Sequence, residues 1–212
     1  MNVKVVYVYP MLAAHKYNAL AERFVRSYMD HPPGTHPHEL VVAVNGGEYR
    51  ITDPRDIFGT LTDSYLFHNN YGKDIGAYQR AAHEIPCDLL VCLGSNIHFR
   101  KTGWLDRIIE VFCNNGPHLY GPWAFHQPKD HIRTTAFWCS PELLKSYPVT
   151  VGDGDRYEFE HGNRSIARHA NSLGLGCYMV TWGGVFPPEE WHHVTNDQSL
   201  ILDQHTDSMG YT

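Results

Sequence analysis

Residues 62–103 read TDSYLFHNNYGKDIGAYQRAAHEIPCDLLVCLGSNIHFRKTG, and the order of patterns in this stretch decides the predicted fold. It indicates a strand, a glycine-bearing turn, a helix that opens at Asp74, a buried strand and a polar loop. The run DLLVCL over 88–93 is almost entirely apolar, which is typical of a strand covered on both faces. The stretch therefore favours an α/β sheet with parallel strands and helices between them.

The first turn places small and polar residues at every second position, at Asn70, Gly72, Asp74 and Gly76. Glycines let the backbone approach a ligand closely, and Asn70 and Asp74 supply an amide and a carboxylate. Lys73 lies between them and is suited to a phosphate. The alternative for Asp74 is that it only caps the helix.

The second turn is formed by Gly94, Ser95 and Asn96, which follow the apolar strand directly. Open α/β sheets bind ligands in the crevice beyond the carboxyl ends of their strands. Both turns are expected to lie there and to face one shared cavity. An ordinary turn at Ser95 and Asn96 is the alternative.

These motifs together resemble the donor half of the GT-A glycosyltransferases, which take sugars from nucleotide sugars. The likeness rests on N-x-G-x-D-x-G-A-Y over 70–78, the apolar strand, and TGWLDRI over 102–108, and extends over essentially the whole chain. It implies one Rossmann-like α/β domain over 1–212, with a mixed, mostly parallel central sheet flanked by helices. A donor half of about 1–100 and an acceptor half of about 101–212 are expected.

Within this family, the chain length and opening strand resemble the N-terminal domain of a chlorovirus glycosyltransferase. That resemblance implies a role in glycan synthesis for a viral capsid glycoprotein, in the cytoplasm of the host, and further domains in a longer chain. The implied donor is a UDP-sugar carrying a hexose or deoxyhexose. The implied acceptor is a hydroxyl group of a glycan.

The resemblance also assigns a nucleotide-sugar site. Tyr9 ends the first predicted strand, over 3–9, and Pro10 follows it. Asn45 ends the second predicted strand, over 38–45, where an amide pairs with the edge of uracil. Tyr9 is suited to stacking on the base; alternatively it finishes its strand with the hydroxyl in water. The alternative for Asn45 is a turn-forming role. The full predicted site is Tyr9, Pro10, Asn45, Asn70, Gly72, Lys73, Asp74, Gly94, Ser95 and Asn96.

One departure from the family concerns the metal. In most members the apolar strand ends in D-x-D, which binds the divalent ion that holds the diphosphate, whereas residues 94–96 here are Gly-Ser-Asn. Amides and hydroxyls are weaker ligands than carboxylates for Mn²⁺ or Mg²⁺. The resemblance leaves Asn96 and the late His205 as candidate ligands. A literal D-x-D at Asp153 and Asp155 is surrounded by glycines and preceded by no apolar strand, which is typical of a turn.

The region 151–173 contains a predicted helix, and the resemblance implies a catalytic base near its start. Four apolar residues recur there with helical spacing and form one predicted buried stripe, namely Phe159, Ile166, Ala170 and Leu173. In inverting members of the resembled family a carboxylate near such a late helix deprotonates the acceptor. Glu160 matches that position, with Glu158 and Asp155 as rivals.

Acceptor binding is predicted at His131 and Trp138, in a region that mixes aromatic and polar residues over 119–139. Sugars pack their C–H faces on aromatic rings and use their hydroxyls for hydrogen bonds. The alternative for Trp138 is packing in the core.

Composition excludes several other classes. The 212 residues carry 17 Lys and Arg against 23 Asp and Glu, without a long basic run, so nucleic-acid binding is disfavoured. No apolar run approaches about 18 residues, so no membrane span is predicted. The five cysteines are scattered, which fits a reducing compartment. Fifteen histidines show no zinc-site spacing, and the pairs at 36/38 and 192/193 are expected in surface loops.

Two functions of other classes compete with sugar transfer. A nucleotidyltransferase would share a Rossmann-like sheet, but it needs a glycine-rich phosphate loop after the first strand, and YPMLAAHKYNA over 9–19 is not one. A sugar-binding module without activity would also show the neutral Gly-Ser-Asn tip at 94–96. The sequence leaves this second alternative open.

Overall fold

The computed structural model describes residues 1–11, 16–46, 53–126, 129–195 and 198–203. Its strands are β1 Val3–Pro10, β2 Glu39–Asn45, β3 Tyr65–His68, β4 Leu89–Leu93, β5 Leu119–Gly121, β6 Ala124–Phe125, β7 His131–Ile132, β8 Ala136–Cys139, β9 Cys177–Val180 and β10 Val185–Phe186. Its α-helices are α1 Lys16–Asp30, α2 Pro54–Phe58, α3 Lys73–Glu84, α4 Trp104–Asn115, α5 Pro141–Lys145, α6 Arg156–Glu160 and α7 Ile166–Ser172, and a 3₁₀ helix spans Pro188–His193.

The central sheet has eight strands in the order β10-β9-β5-β8-β4-β1-β2-β3. Four neighbouring pairs are parallel, namely β1 with β2, β1 with β4, β2 with β3, and β5 with β9. The other three pairs are antiparallel, and β6 and β7 form a separate two-stranded sheet. The predicted mixed, mostly parallel sheet flanked by helices is confirmed.

Alternating side chains of β1 divide the core into two layers. Tyr7 and its odd-numbered neighbours pack with Phe24 of α1 and Trp104 of α4. Val6 and Val8 pack on the opposite face, with α3 and the short helices of the second half. Because a strand exposes successive side chains to opposite faces, an apolar run such as β1 requires cover on both sides.

The order of the strands places a ligand crevice at one edge. From β1 the chain proceeds to β2 and β3 on one side, and then crosses to β4 on the other side of β1. Tyr7 is opposite Leu93, so β1 continues to Pro10 beyond the end of β4. Ligands bind at such a switch point in open α/β sheets.

The predicted continuous helix near residue 160 is wrong. The structure contains two short helices there, with Phe159 in α6 and Ile166 and Ala170 in α7, and Leu173 is 49% exposed. Gly162 lies in the break, and the Oγ atom of Ser165 accepts a hydrogen bond from the N–H of Arg168 as the N-cap of α7. A glycine and a new N-cap end one helix and start another, which apolar spacing alone does not reveal.

All five cysteines are free thiols. Burial raises the pKa of the Cys177 thiol to about 12, so this thiol is protonated at neutral pH. Within the described ranges, none of the helices combines the length and apolar character that crossing a membrane requires.

Candidate functional site

A cavity of about 400 Å³ opens at the carboxyl ends of β1, β2 and β4. Both predicted turns contribute to its wall, so they face one shared space, as the sequence predicts. This volume is within the range of small-molecule sites. The cavity is lined by Val8, Pro10, Tyr17, Asn45, Asn70, Lys73, Asp74, Gly94, Ser95, Asn96, Thr135 and Arg156.

The first turn has a left-handed backbone at three of four consecutive residues. The φ angles are 66° at Asn70, 69° at Gly72 and 53° at Lys73. Such angles are costly for residues other than glycine, and they persist where surrounding contacts impose them. A Cβ atom added to Gly72 would lie 2.1 Å from the carbonyl oxygen of Val151, so this position requires glycine.

The loop at 151–155 holds that turn in place. Asp153 accepts a hydrogen bond from the N–H of Gly72 at 2.8 Å, and Asp155 accepts one from the N–H of Gly152 at 3.0 Å. The literal D-x-D therefore stabilises turns, which is the turn chemistry expected from its glycine-rich context.

Asp74 does not cap helix α3, because Gly72 occupies the N-cap position and Asp74 is the second helical residue. Its carboxylate forms an ion pair with the guanidinium of Arg156. Burial disfavours the charged guanidinium, but the charge and hydrogen bond of Asp74 together with the charge of Glu160 favour it, and the net effect raises the pKa of Arg156. Arg156 also lies 3.3 Å from Oγ1 of Thr134 and 3.7 Å from Oε2 of Glu160.

Asn45 connects the end of β2 to the first turn. Its amide nitrogen donates to the carbonyl oxygen of Lys73 at 2.8 Å, and the residue is only 1% exposed. Its amide oxygen has no hydrogen-bond partner among the described residues. A buried acceptor without a donor is costly, so a ligand N–H from the cavity would stabilise this oxygen.

The second turn is fixed through its backbone. The N–H of Gly94 donates to the carbonyl oxygen of Thr135 at 2.7 Å, and the hydroxyl of Tyr7 donates to the carbonyl oxygen of Ser95 at 2.9 Å. These bonds leave the side chains of Ser95 and Asn96, both half-buried, in the cavity wall.

The described lining residues do not fit the manganese or magnesium ion that the resembled family uses at this place. Asp74 is the one carboxylate among them, and it already forms an ion pair with Arg156. Asn96 lines the cavity, but an amide alone is a weak ligand for a hard dication. The other candidate ligand, His205, lies outside the described residues.

Two predicted contacts are wrong because the side chains belong to the core. Tyr9 is 1% exposed, its ring packs on Phe58, and its hydroxyl donates to Asn18 at 2.7 Å, so it has no free face for a base. Trp138 is 0% exposed and stacks on Tyr120 within the sheet. Strand alternation directs both rings into the packed layer beside α1 and α4.

None of the three predicted catalytic carboxylates is among the described residues that line the cavity. Glu160 is 9% exposed and accepts hydrogen bonds from the N–H and the hydroxyl of Thr134, at 3.2 and 3.0 Å. Glu158 packs beside Gly162, and Asp155 is engaged with Gly152. The assignment of a base among them stays a prediction.

The histidine cluster, which we define as His131, Glu160 and His161, lies behind Arg156. One ligand-type atom from each of the three residues lies within 4.8 Å of the others. His131 is 3% exposed, so it faces this cluster rather than an open acceptor surface. Burial lowers the pKa of His161; His131 and Arg156 lower it as well, and the charge of Glu160 opposes them.

Arg156 is the main lining residue that the sequence did not single out. It lies four residues before Glu160, and charges of opposite sign at that spacing form pairs on a helix. That spacing was the available signal, but the sequence does not show that α6 reaches the first turn.

No model of a protein family matches the sequence, and no curated protein matches it either. Solved structures do resemble it. Mannosyltransferase PcManGT from Pyrobaculum calidifontis, in complex with GDP-Man and Mn²⁺, is 12% identical with a TM-score of 0.61, and the match covers 90% of this chain and 59% of that chain.

Two further solved structures are similar. A putative nucleotide-diphospho-sugar transferase from Desulfovibrio desulfuricans G20 is 13% identical with a TM-score of 0.51, covering 84% of this chain and 79% of that chain. Mouse xyloside xylosyltransferase 1 in its apo form is 10% identical with a TM-score of 0.50, covering 85% and 86%. Likeness at these identities concerns the fold alone. This chain has the fold of the GT-A nucleotide-sugar glycosyltransferases.

Proposed function

We propose that this chain transfers a hexose or deoxyhexose from a UDP-sugar to a hydroxyl group of a glycan. The observation that carries the proposal is the cavity at the switch point between β1 and β4, where both glycine-bearing turns and Arg156 meet. The fold supports it, since PcManGT binds GDP-Man on a similar fold. A donor half of about 1–100 and an acceptor half of about 101–212 are part of the proposal, as are the viral setting and the cytoplasmic location.

The charges of the cavity wall suit a diphosphate. Lys73 and Arg156 are cationic, and Asp74 is the one anionic side chain among the described lining residues. When the bond between the anomeric carbon and the diphosphate oxygen breaks, negative charge develops on the leaving group. Cations positioned beside the leaving oxygens stabilise that developing charge. Lys73 and Arg156 are therefore the residues that bind the leaving diphosphate.

Other lining residues orient the donor and the guanidinium. Asn45 lines the cavity at the end of β2, and a small rotation that exposes its buried, unpaired amide oxygen would let it accept an N–H of the base. Asp74 holds the guanidinium of Arg156 toward the cavity and accepts hydrogen bonds from sugar hydroxyls on its remaining lone pairs. Glu160 supports Arg156 from the opposite side.

The transfer step moves one group and one proton. The acceptor oxygen forms a bond to the anomeric carbon, the nucleoside diphosphate leaves with the electrons of the broken bond, and the acceptor proton passes to a base. Glu160, Glu158 and Asp155 remain the predicted bases. An acceptor would have to approach beside Arg156 to reach Glu160, because Arg156 separates Glu160 from the cavity.

A catalytically silent sugar-binding module is the second candidate. It is favoured by the neutral Gly94-Ser95-Asn96 tip and by the ion pair that occupies Asp74. Such a module would bind a glycan or nucleotide sugar without breaking the donor.

Nucleotide release from a panel of UDP-sugars and GDP-sugars, with Mn²⁺ and with a chelator, separates the two candidates. We expect release of UDP from at least one UDP-sugar, and Arg156→Ala to reduce it. Arg80→Ala is the matched control, because Arg80 pairs with Glu84 on the outer surface of α3. Glycan binding without release from any donor would favour the silent module.

A further inference from the structure

We infer that the histidine cluster is a binding site for one transition-metal dication of the zinc type, separate from the donor cavity. The three ligands would be the imidazoles of His131 and His161 and the carboxylate of Glu160. The inference goes beyond the proposed function and is tested by metal binding alone. A metal bound to Glu160 would leave the role of catalytic base to Glu158 or Asp155.

The first support is convergence. One ligand-type atom from each of the three residues lies within 4.8 Å of the others. In a tetrahedral zinc site with bonds of about 2.0–2.1 Å, neighbouring ligand atoms are separated by roughly 3.3 Å. Small side-chain rotations would close that difference. Because β7 supplies His131 and the end of α6 supplies the other two residues, only the tertiary fold brings the set together.

The second support is the state of the imidazoles. Nδ1 of His131 lies 2.7 Å from the carbonyl oxygen of Lys129, and a carbonyl oxygen only accepts, so Nδ1 carries the proton. Nε2 of His131 therefore holds a lone pair in the neutral ring. Metal-binding histidines commonly donate their second ring N–H to a carbonyl in this way. Nδ1 of His161 is buried and has no hydrogen-bond partner among the described residues.

The third support is the environment of Glu160. Thr134, itself 1% exposed, donates its backbone N–H and its hydroxyl to the two carboxylate oxygens, at 3.2 and 3.0 Å. Outer hydrogen bonds of this kind orient a carboxylate and leave lone pairs for a metal. Arg156 lies 3.7 Å from Oε2, so the carboxylate would bridge the metal site and the cavity wall.

The chemistry of the donors selects the class of metal. Two imidazole nitrogens and one carboxylate suit zinc, cobalt or nickel, whereas magnesium and calcium prefer oxygen ligands alone. Three protein ligands leave a fourth position for water or another group. Within the described chain, this cluster is the set of His, Cys, Asp and Glu side chains that converges closely enough to hold a metal.

The test is titration of the chelator-treated full chain with ZnCl₂. Isothermal titration calorimetry measures the binding, and the thermal midpoint of the chain is measured with and without zinc. We expect saturation at one equivalent and a higher midpoint. CoCl₂ should give visible ligand-field absorption at the same stoichiometry. Absence of saturable binding by the folded wild-type chain would overturn the inference.

Variants locate the binding site. His131→Asn keeps a donor near Nδ1 for the Lys129 carbonyl but removes Nε2, and His161→Ala removes the second imidazole. Loss of a direct ligand should weaken binding by more than the roughly 10–100-fold that outer-shell changes cause. Circular dichroism verifies that both variants fold.

A matched control should retain the affinity of the wild type. His169→Ala alters a half-buried histidine whose Nε2 contacts Ser146 instead of the cluster. Zinc binding that persists unchanged in both His131→Asn and His161→Ala would place the metal elsewhere and contradict the inference.

Discussion

The donor cavity and the histidine cluster are neighbours, joined through Arg156, yet they are built in opposite ways. The cavity is open and polar, and its backbone turns left-handed at Asn70, Gly72 and Lys73. The cluster is closed, and its side chains come from β7 and from the C-terminal end of α6, about thirty residues apart. The cavity suits a charged, elongated ligand, whereas the cluster suits a compact cation.

The largest effect is expected where the backbone of the cavity depends on glycine. Gly72→Ala adds a Cβ 2.1 Å from the carbonyl oxygen of Val151, at a φ of 69°. We expect the free energy of unfolding to fall by roughly 3 kcal/mol or more, with loss of nucleotide-sugar binding. Chemical denaturation and calorimetry measure the two quantities.

Gly103→Ala is the matched control for this substitution. Gly103 has a φ of 85°, but a Cβ there meets no atom within 4 Å. It should cost only about 1 kcal/mol for the left-handed backbone and should leave binding unchanged. Equal losses at the two glycines would show that the first turn is not held by the 151–155 loop.

The next largest effect is expected for Arg156→Ala, which should alter ligand binding in the donor cavity but not in the histidine cluster. Arg156→Ala removes a cation from the cavity wall, and we expect the affinity for a UDP-sugar to fall about 10- to 100-fold, since hydrogen bonds to charged groups contribute roughly 1.5–3 kcal/mol. Zinc binding by the histidine cluster should persist, because Arg156 is not one of its ligands. If nucleotide affinity does not change, the diphosphate does not bind at Arg156.

A smaller effect is expected at the junction between β2 and the first turn. Asn45→Leu leaves the carbonyl oxygen of Lys73 without its 2.8 Å donor in a site that is 1% exposed. The expected loss is about 1–3 kcal/mol of unfolding free energy.

Asn115→Ala provides a comparison for that change. Asn115 also donates its amide to a backbone carbonyl, that of Val111 at 2.9 Å, but on an exposed residue at the end of α4. Water replaces that bond, so the loss should stay within about 0.5 kcal/mol. A loss at Asn45 as small as that at Asn115 would mean that Asn45 does not anchor the turn.

The smallest effect is expected at Asp106, outside both regions, where it concerns how the stability of the fold depends on pH. The backbone hydrogen bond from Thr35 lowers the pKa of Asp106 below its ordinary value of 3.8; burial opposes it, and the hydrogen bonds from His36 and the Thr35 hydroxyl add to the lowering. Because the folded pKa is the lower one, the stabilisation is present above the ordinary value and is lost as the pH falls through the folded pKa. Asp106→Asn should therefore have a lower thermal midpoint than the wild type at neutral pH, and the two midpoints should converge in strong acid. A difference that stays constant with pH would contradict this origin.

The cavity was predictable because its information is local. Apolar runs ending in small polar residues mark the carboxyl ends of strands, and parallel pairing brings those ends to one edge. Pro10, Asn45 and Asn96 therefore line one cavity although they are far apart in the sequence.

The remaining features depend on side-chain direction and long-range packing. Composition alone does not tell a strand residue that points into the core from one that points to a ligand, which is why Tyr9 and Trp138 were assigned to ligand contacts. The ion pair between Asp74 and Arg156 joins residues more than eighty positions apart. The sequence around either residue does not indicate that the two are in contact. The histidine cluster is hidden for the same reason.

The most direct measurement is a crystal structure of the chain with UDP, solved once with a chelator and once with manganese. The account predicts UDP in the cavity between the two glycine-bearing turns, with its diphosphate within hydrogen-bond distance of Lys73 and Arg156 and its base beside Asn45. Nucleotide bound at another surface of the sheet, or a diphosphate that contacts neither cation, would contradict the account.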